Sequence, residues 1–293
     1  MFKINLQKKY IALGILLLIV ISIFGFYFYS THKPHRLVVA FLDIGQGDAI
    51  YIEAPNGTQM LVDGGRDSRV ASALAKVMPF GDRSIDVVIG THPDADHIGG
   101  LNTVLDNYSV NTIIESGGVS KSKTYQSLES KIKDKKIKRI LGRAGMKIIL
   151  DTTVGKEVYF DILYPDIPDV SHMETNNGSI VGKLTYGATS VMLTADSPIE
   201  KELYLVNKFK GTPMLDVDIL KLGHHGSRTS SSLAYLKATS PTLAIISAGL
   251  HNSYGHPHQE VLDRLASLGI PYFTTYDNGT IICHSDMVKF VCK

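Results

Sequence analysis

At 293 residues, 44% of them hydrophobic, the chain is long enough to bury a proper core as one large domain or two small ones. Its formal net charge of +2 excludes a global field that recruits nucleic acid, so such binding needs a local basic patch. With only two cysteines, a disulfide-dense scaffold is excluded as well.

The first element in chain order is apolar. Residues 10–29, YIALGILLLIVISIFGFYFY, run 20 residues without a charge. At ~1.5 Å per residue this matches a ~30 Å hydrocarbon core. The run exceeds a signal-peptide apolar region, no small-x-small cleavage site follows, and no cysteine follows to carry a lipid. The expectation is one transmembrane helix with the lipid bilayer as its partner; a cleaved signal peptide is the alternative. Residues 1–36 then form an anchor and linker, and residues 37–293 a separate domain. Lys3, Lys8, Lys9 and the amino terminus precede the span, and Lys33 and Arg36 follow it. By a narrow margin this charge balance orients the domain outward, on the extracellular side of the cell membrane.

Strand patterns follow the linker: RLVVAFLDIG, DAIYIEA and QMLVDGG, with APNGTQ as a hairpin turn between the last two. Residues 68–78 read as a helix, IDVVIGT as a continuously buried strand, and a helix opens near Gly99-Gly100. VNTIIESGG is another strand. The stretch 121–143 holds Lys121, Lys123, Lys131, Lys133, Lys135, Lys136, Lys138, Arg139 and Arg143; it is one candidate for such a basic patch, with a solvated helix face as the preferred reading. Further strands, from MKIIL to VKFVCK, alternate with helical patterns at 197–209, 230–238 and 258–268. Meandering strands with intervening helices predict an α/β (α+β) fold in which helices cover sheets, not a purely parallel array. TIICHSDMVKFVCK predicts a hairpin turning near Ser285-Asp286. That register sets Cys283 against Val288 and Cys292 against Gly279, and keeps the sulfurs apart.

The segment THPDADHIGG (91–100) closes a strand with His92, Asp94, Asp96 and His97. Positions 92, 94 and 96 alternate, so an extended loop turns them to one side. Carboxylates packed this closely repel one another unless a divalent cation uses their lone pairs. The alternative is a solvated polar turn. More such residues stand at later strand ends: Asp196 after VMLTA, His224 and His225 after ILKLG, and His251, Asn252, Tyr254, His256 and His258 in HNSYGHPH. Five of the 11 histidines lie in 224–258, a pattern of functional loops on a strand scaffold.

HPDADHIGG, TAD, KLGHHGS and YGHPH, with FLDIGQGDA and LVDGG upstream, resemble in order the metallo-β-lactamase superfamily. The subgroup they resemble is the C-terminal domain of ComEC-type bacterial competence proteins. The resemblance implies an αββα sandwich with two divalent metal ions at one edge. It assigns His92, Asp94, Asp96, His97, Asp196 and His225 as metal ligands, with His224 the alternative to His225. Asp94 stands where the superfamily usually has a second histidine. Asn176 or Asn177 stands where another histidine usually precedes the bridging aspartate, and His172 is too early. His92, Asp94 and Asp196, with an asparagine oxygen, make an oxygen-rich set that suits Mn²⁺, while Zn²⁺ remains open. Asp63 would orient ligands from behind, and Asp43 and Asp48 would stabilise loops below.

The chemistry implied is metal-assisted hydrolysis of a phosphodiester. Asp96 and Asp196 would hold the attacking water. Asn177, Ser227, Ser230 and Tyr254 would contact substrate, and His256 would protonate a leaving oxygen. The amides opening the helix at SRTSSSLAYL would suit an anion. The leading expectation is a membrane-anchored phosphodiesterase or nuclease acting on single-stranded DNA, because the resembling proteins serve DNA uptake. With one span the chain would trim DNA at the surface or act beside a channel. Two alternatives stand beside it: an esterase of cell-surface phospho-polymers or phosphocholine, and a non-catalytic binding module. β-Lactam hydrolysis fits poorly without the missing histidines. No sequence feature points to a protein partner.

Overall fold

The structure, a computed structural model, describes residues 6–31 and 36–293. It divides into two compact units, Met1–His35 and Arg36–Lys293. The first contains the helix Leu6–Thr31, whose described side chains stop at residue 25. Among the described residues no helix is long and apolar enough to cross a membrane. The expected span, 10–29, extends beyond the described side chains.

The second unit is built on two sheets. One is formed by β1 (Leu37–Phe41), β2 (Ile50–Glu53), β3 (Gln59–Val62), β4 (Ser84–Gly90), β5 (Ser109–Glu115) and β6 (Lys138–Leu141), paired in that order. The other is formed by β7 (Lys147–Asp151), β8 (Val158–Tyr164), β9 (Val181–Tyr186), β10 (Thr189–Leu193), β11 (Ile219–Lys221), β12 (Leu243–Ile246) and β13 (Tyr272–Thr274). The chain then returns to the first sheet: β14 (Ile281–Ser285) pairs with β1, and β15 (Phe290–Cys292) lies at the edge. The turn between β2 and β3 is the expected one, with Ala54 N–H donating to the Thr58 carbonyl across Asn56-Gly57.

Alternation along each strand separates the cores. Leu37, Val39 and Phe41 of β1, with Val191 and Leu193 of β10, face a central core between the sheets. Ala40, Tyr51 and Leu61 face outward, against the helices Arg69–Val77, Leu101–Asn107 and Lys123–Asp134. On the second sheet Met192, Leu220 and Ala244 meet Ile199–Lys208, Leu233–Thr239 and Gln259–Ser267. The result is helices, sheet, sheet, helices, the expected αββα sandwich.

The terminal hairpin departs from expectation. Cys283 lies directly opposite Cys292, and the two are disulfide-bonded. Ile282 and Lys293 exchange both backbone hydrogen bonds, so the cysteines occupy the adjacent pair, where side chains approach closest. The turn falls at Met287-Val288, two residues later than expected. Asp286 Oδ1 caps it by accepting from the Val288 and Lys289 amides, and Met287 takes a φ of 80°. A methionine in the left-handed region carries no turn signal, so the sequence pattern points to an earlier register.

Strands β3–β4–β5 and β10–β11–β12 run parallel, and the loops at their carboxyl ends converge on one edge of the sandwich.

Candidate metal centre

The loops after β3, β4, β10 and β11 deliver Asp63, then Thr91 to His97, then Asp196, then His224 and His225. Several of these residues hold strained backbone: φ is 58° at Asp63, 45° at Ala195, 49° at His224 and 56° at His225. Left-handed φ at non-glycine residues is costly and concentrates where a structure over-determines geometry for use. Close packing adds to the constraint. A Cβ on Gly47 would stand 2.1 Å from the Asp96 carbonyl oxygen, so only glycine lets that loop lie against the ligand loop.

Three imidazoles are aimed by what lies behind them. His97 Nδ1 is 2.7 Å from Asp63 Oδ2, and that carboxylate also accepts from the Thr91 amide and hydroxyl. Thr91 Oγ1, its proton given to Asp63, accepts from His92 Nδ1 at 3.0 Å. His225 Nδ1 donates to the Ser247 carbonyl at 3.0 Å. Each ring therefore carries its proton on Nδ1 and turns the Nε2 lone pair forward, the arrangement a metal ligand requires.

The forward atoms converge. His92 Nε2, His97 Nε2, His225 Nε2 and Asp196 Oδ1 are all buried, and none has a hydrogen-bond partner. Asp196 Oδ1 lies 3.2 Å from His97 Nε2 and 3.5 Å from His225 Nε2, and Asp96 Oδ2 lies 3.7 Å from His225 Nε2. The other oxygen, Oδ2, lies 4.0 Å from His92 Nε2 and 3.6 Å from His224 Nε2; Asp94 Oδ2 is 3.7 Å from His92 Nε2. Donors bound to one zinc at about 2.0–2.1 Å stand about 3.3 Å apart in a tetrahedron, so these separations suit shared cations. Lone pairs that face one another in a buried site cost several kcal/mol unless a cation or proton lies between them. The residues present therefore fit a divalent metal.

The same neighbours shift the ionisation of the donors. Burial opposes ionisation of Asp196, yet His225, His97 and His92 around it hold its carboxyl well below the usual range. Burial also works against charge on His97, but Asp196 and Asp63 on either side outweigh it and raise the imidazole well above its ordinary value. Burial, then the neighbouring His97, pushes His92 down to about 4. Asp94 is raised by burial.

The sequence-assigned residues fall into three groups. His92, Asp94, Asp96, His97, Asp196, His224 and His225 come together, with Asp63 behind His97. Tyr254 and His256 line a cleft of about 120 Å³ above them, with Gln46, Asp94, Asp96 and Asp196. His256 stacks on Tyr254, and Asn252 ties their loop through the Tyr254 and His256 amides. Burial, then His224 and His225, lowers His256 to about 4, so the ring is neutral at physiological pH. The serines stand apart from this cleft. Ser230 is fully buried and donates to the Ser197 carbonyl, and Ser227 bonds Thr229. The amides of Ser231 and Ser232, expected to suit an anion, already donate to the buried Glu202 carboxylate. Asn177 offers its carbonyl to the Tyr164 hydroxyl, whereas Asn176 Oδ1 is buried without a partner. His172 is exposed beside Asp169.

Sequence reasoning missed the support below. Lys221 is fully buried, and its Nζ lies 2.8 and 2.9 Å from the Asp48 oxygens and 2.9 Å from the Leu222 carbonyl. Burial opposes ionisation of Asp48, but Lys221, with His225 3.3 Å away, holds its carboxyl far below the usual range. Asp48 falls within 4.8 Å of the His97, Asp196 and His225 donors. It approaches His225 from the Nδ1 side, however, and its charge is already matched by Lys221, so it serves as a support for the ligands. A lysine ending the apolar run VDILKLG was the available signal: a charge there must be buried and paired.

The sequence profile of the metallo-beta-lactamase superfamily matches residues 42–250. ComE operon protein 3 of Bacillus subtilis is 33% identical over 264 residues, which cover 83% of this chain and 32% of that protein. Recombination protein 2 of Haemophilus influenzae is 30% identical over 233 residues, 76% of this chain and 26% of its own. Competence protein ComA of Neisseria gonorrhoeae is 28% identical over 253 residues, covering 84% and 32%. The chain thus spans a third or less of the length of these relatives. Among solved structures, the metallo-beta-lactamase fold protein YhfI of Bacillus subtilis superposes with a TM-score of 0.55 at 14% identity, covering 85% of this chain and 100% of that one.

Proposed function

Because the chain belongs to the metallo-beta-lactamase superfamily, we propose that this metal-dependent hydrolase is a phosphodiesterase acting on DNA, with residues 1–36 as a membrane anchor and 37–293 as the hydrolase domain. The observation that carries the reading is the ring of buried, unpartnered donor atoms around the two oxygens of Asp196. Asp96, His97, His225 and Asp196 would hold one cation. His92, Asp94 and Asp196 would hold the other, with His224 nearby. The second set is rich in oxygen, which favours Mn²⁺ over Zn²⁺. Competence and recombination, the processes named in the relatives, both concern DNA.

Paired divalent cations supply a water of lowered pKa and neutralise phosphoryl charge. Asp96 would orient that water and accept its proton, while Asp196, whose two oxygens face the donor imidazoles, would hold the cations. Asp63, Thr91 and Ser247 keep the imidazoles in the tautomer that leaves Nε2 free. His256, neutral at physiological pH, offers a hydrogen bond to the departing oxygen and does not store a proton for it.

An outward-facing domain is consistent with the Cys283–Cys292 disulfide, since such bonds persist in oxidising compartments. The test uses the full chain in detergent, stripped of metal and reloaded with Mn²⁺ or Zn²⁺. Cleavage of bis-p-nitrophenyl phosphate and labelled single-stranded DNA should require metal and disappear in Asp196→Asn. Undiminished cleavage by the Asp96→Asn/Asp196→Asn double variant would refute the reading.

A further inference from the structure

We propose that Gln46 and Arg66 form a donor wall on the Asp96 side of the cleft that grips an anionic phosphoryl oxygen of the substrate; the inference rests on the phosphoester reading above. Gln46 lines the cleft beside Asp96 and Asp196. Its amide orientation is fixed, because the Gly249 N–H donates to Oε1 at 3.2 Å. The Nε2 amine is then buried with no hydrogen-bond partner. Two N–H donors held against a cleft without an acceptor describe half of a binding contact.

Arg66 completes the wall. Its Nη2 donates to the Tyr254 hydroxyl at 3.2 Å and stands 3.8 Å from Asp96 Oδ2, too far for a hydrogen bond. The backbone beneath it is fixed, since a Cβ on Gly99 would come within 2.0 Å of the Arg66 carbonyl oxygen. With Asp96 engaged as a metal ligand, its carboxylate would be less available to Arg66. The guanidinium is 46% exposed and sits beside the cleft residues Asp96 and Tyr254, so its remaining donors are open to an entering anion. Guanidinium and amide together suit a phosphoryl oxygen, which accepts strong charge-assisted hydrogen bonds.

The simpler role for Arg66 is to offset the charge of Asp96. The two roles separate when anion and metal affinities are measured together. The full chain, metal-loaded, would be titrated calorimetrically with inorganic phosphate, and its metal content assayed, as wild type, Arg66→Met and Gln46→Glu. The glutamate keeps an oxygen for the Gly249 amide but replaces donors with charge. We expect phosphate affinity to fall roughly ten- to a hundredfold in each variant, as for loss of a charged hydrogen bond, with metal content unchanged. KM for bis-p-nitrophenyl phosphate should rise in parallel. Phosphate affinities within twofold of wild type, at equal metal content, would overturn the wall, as would a metal-loaded wild type that binds no phosphate. Diester cleavage by wild type with unchanged variants would sink the wall and leave the phosphodiesterase. Weakened phosphate binding without any diester cleavage would sink the phosphodiesterase and leave the wall.

Discussion

Lys221 is a full positive charge at the end of a strand otherwise made of isoleucine and leucine, and it is tolerated because Asp48 supplies two oxygens and the chain a carbonyl. Removing one member of a buried pair is worse than removing both, because the remaining ion is left without water or partner. Lys221→Met should therefore destabilise the domain by about 3–5 kcal/mol. Adding Asp48→Leu should recover much of that loss. Urea unfolding of the single and double variants decides it, and a milder single variant would contradict the pairing. The contrast with the ligands shows what a sequence discloses. His92, Asp94, Asp96 and His97 sit within six positions, so their proximity is written in the spacing. Lys221 and Asp48 lie 173 residues apart, and only the fold brings them together. Arg66 and Tyr254, 188 apart, were hidden in the same way.

Elements are legible wherever a periodic apolar face meets ordinary turn chemistry. The helices expected at 68–78, 197–209 and 258–268 appear as Arg69–Val77, Ile199–Lys208 and Gln259–Ser267. The helix start near Ser230 is legible in the sequence, but the use of its amides is not. A buried acid two elements away, Glu202, already satisfies the amides there, and no local pattern announces that. The last hairpin is illegible for a related reason: its turn depends on Asp286 and a strained Met287, so a turn placed at Ser285 shifts every cross-strand neighbour. Its disulfide closes a short loop on an edge strand. By the loop-entropy account, Cys283→Ala/Cys292→Ala should cost about 2.7 kcal/mol. The metal ligands lie on other strands, so metal content should not change. Denaturant midpoints and metal analysis test both halves, and a variant of wild-type stability would argue against a bridged pair.

At the scale of the molecule, the proposed anchor would set the hydrolase domain on one face of a membrane. If the anchor holds and the amino terminus lies inside, protease added to intact cells should digest residues 37–293 and leave the segment at 10–29 in the membrane fraction. Full protection in intact cells, with digestion only after lysis, would reverse the orientation. The sandwich adds a constraint of time. The first strand of the domain, β1, has two neighbours: β2, which follows at once, and β14, joined through pairs such as Leu37 with Ser285. Nearly the whole domain must therefore be made before its opening strand finds its second partner. Closing so distant a pair is slow relative to local structure. The sheet that carries Asp63 and His92 stays open at one edge until β14 and β15 arrive, so a chain leaving the ribosome cannot close this fold before residues 281–292 have emerged.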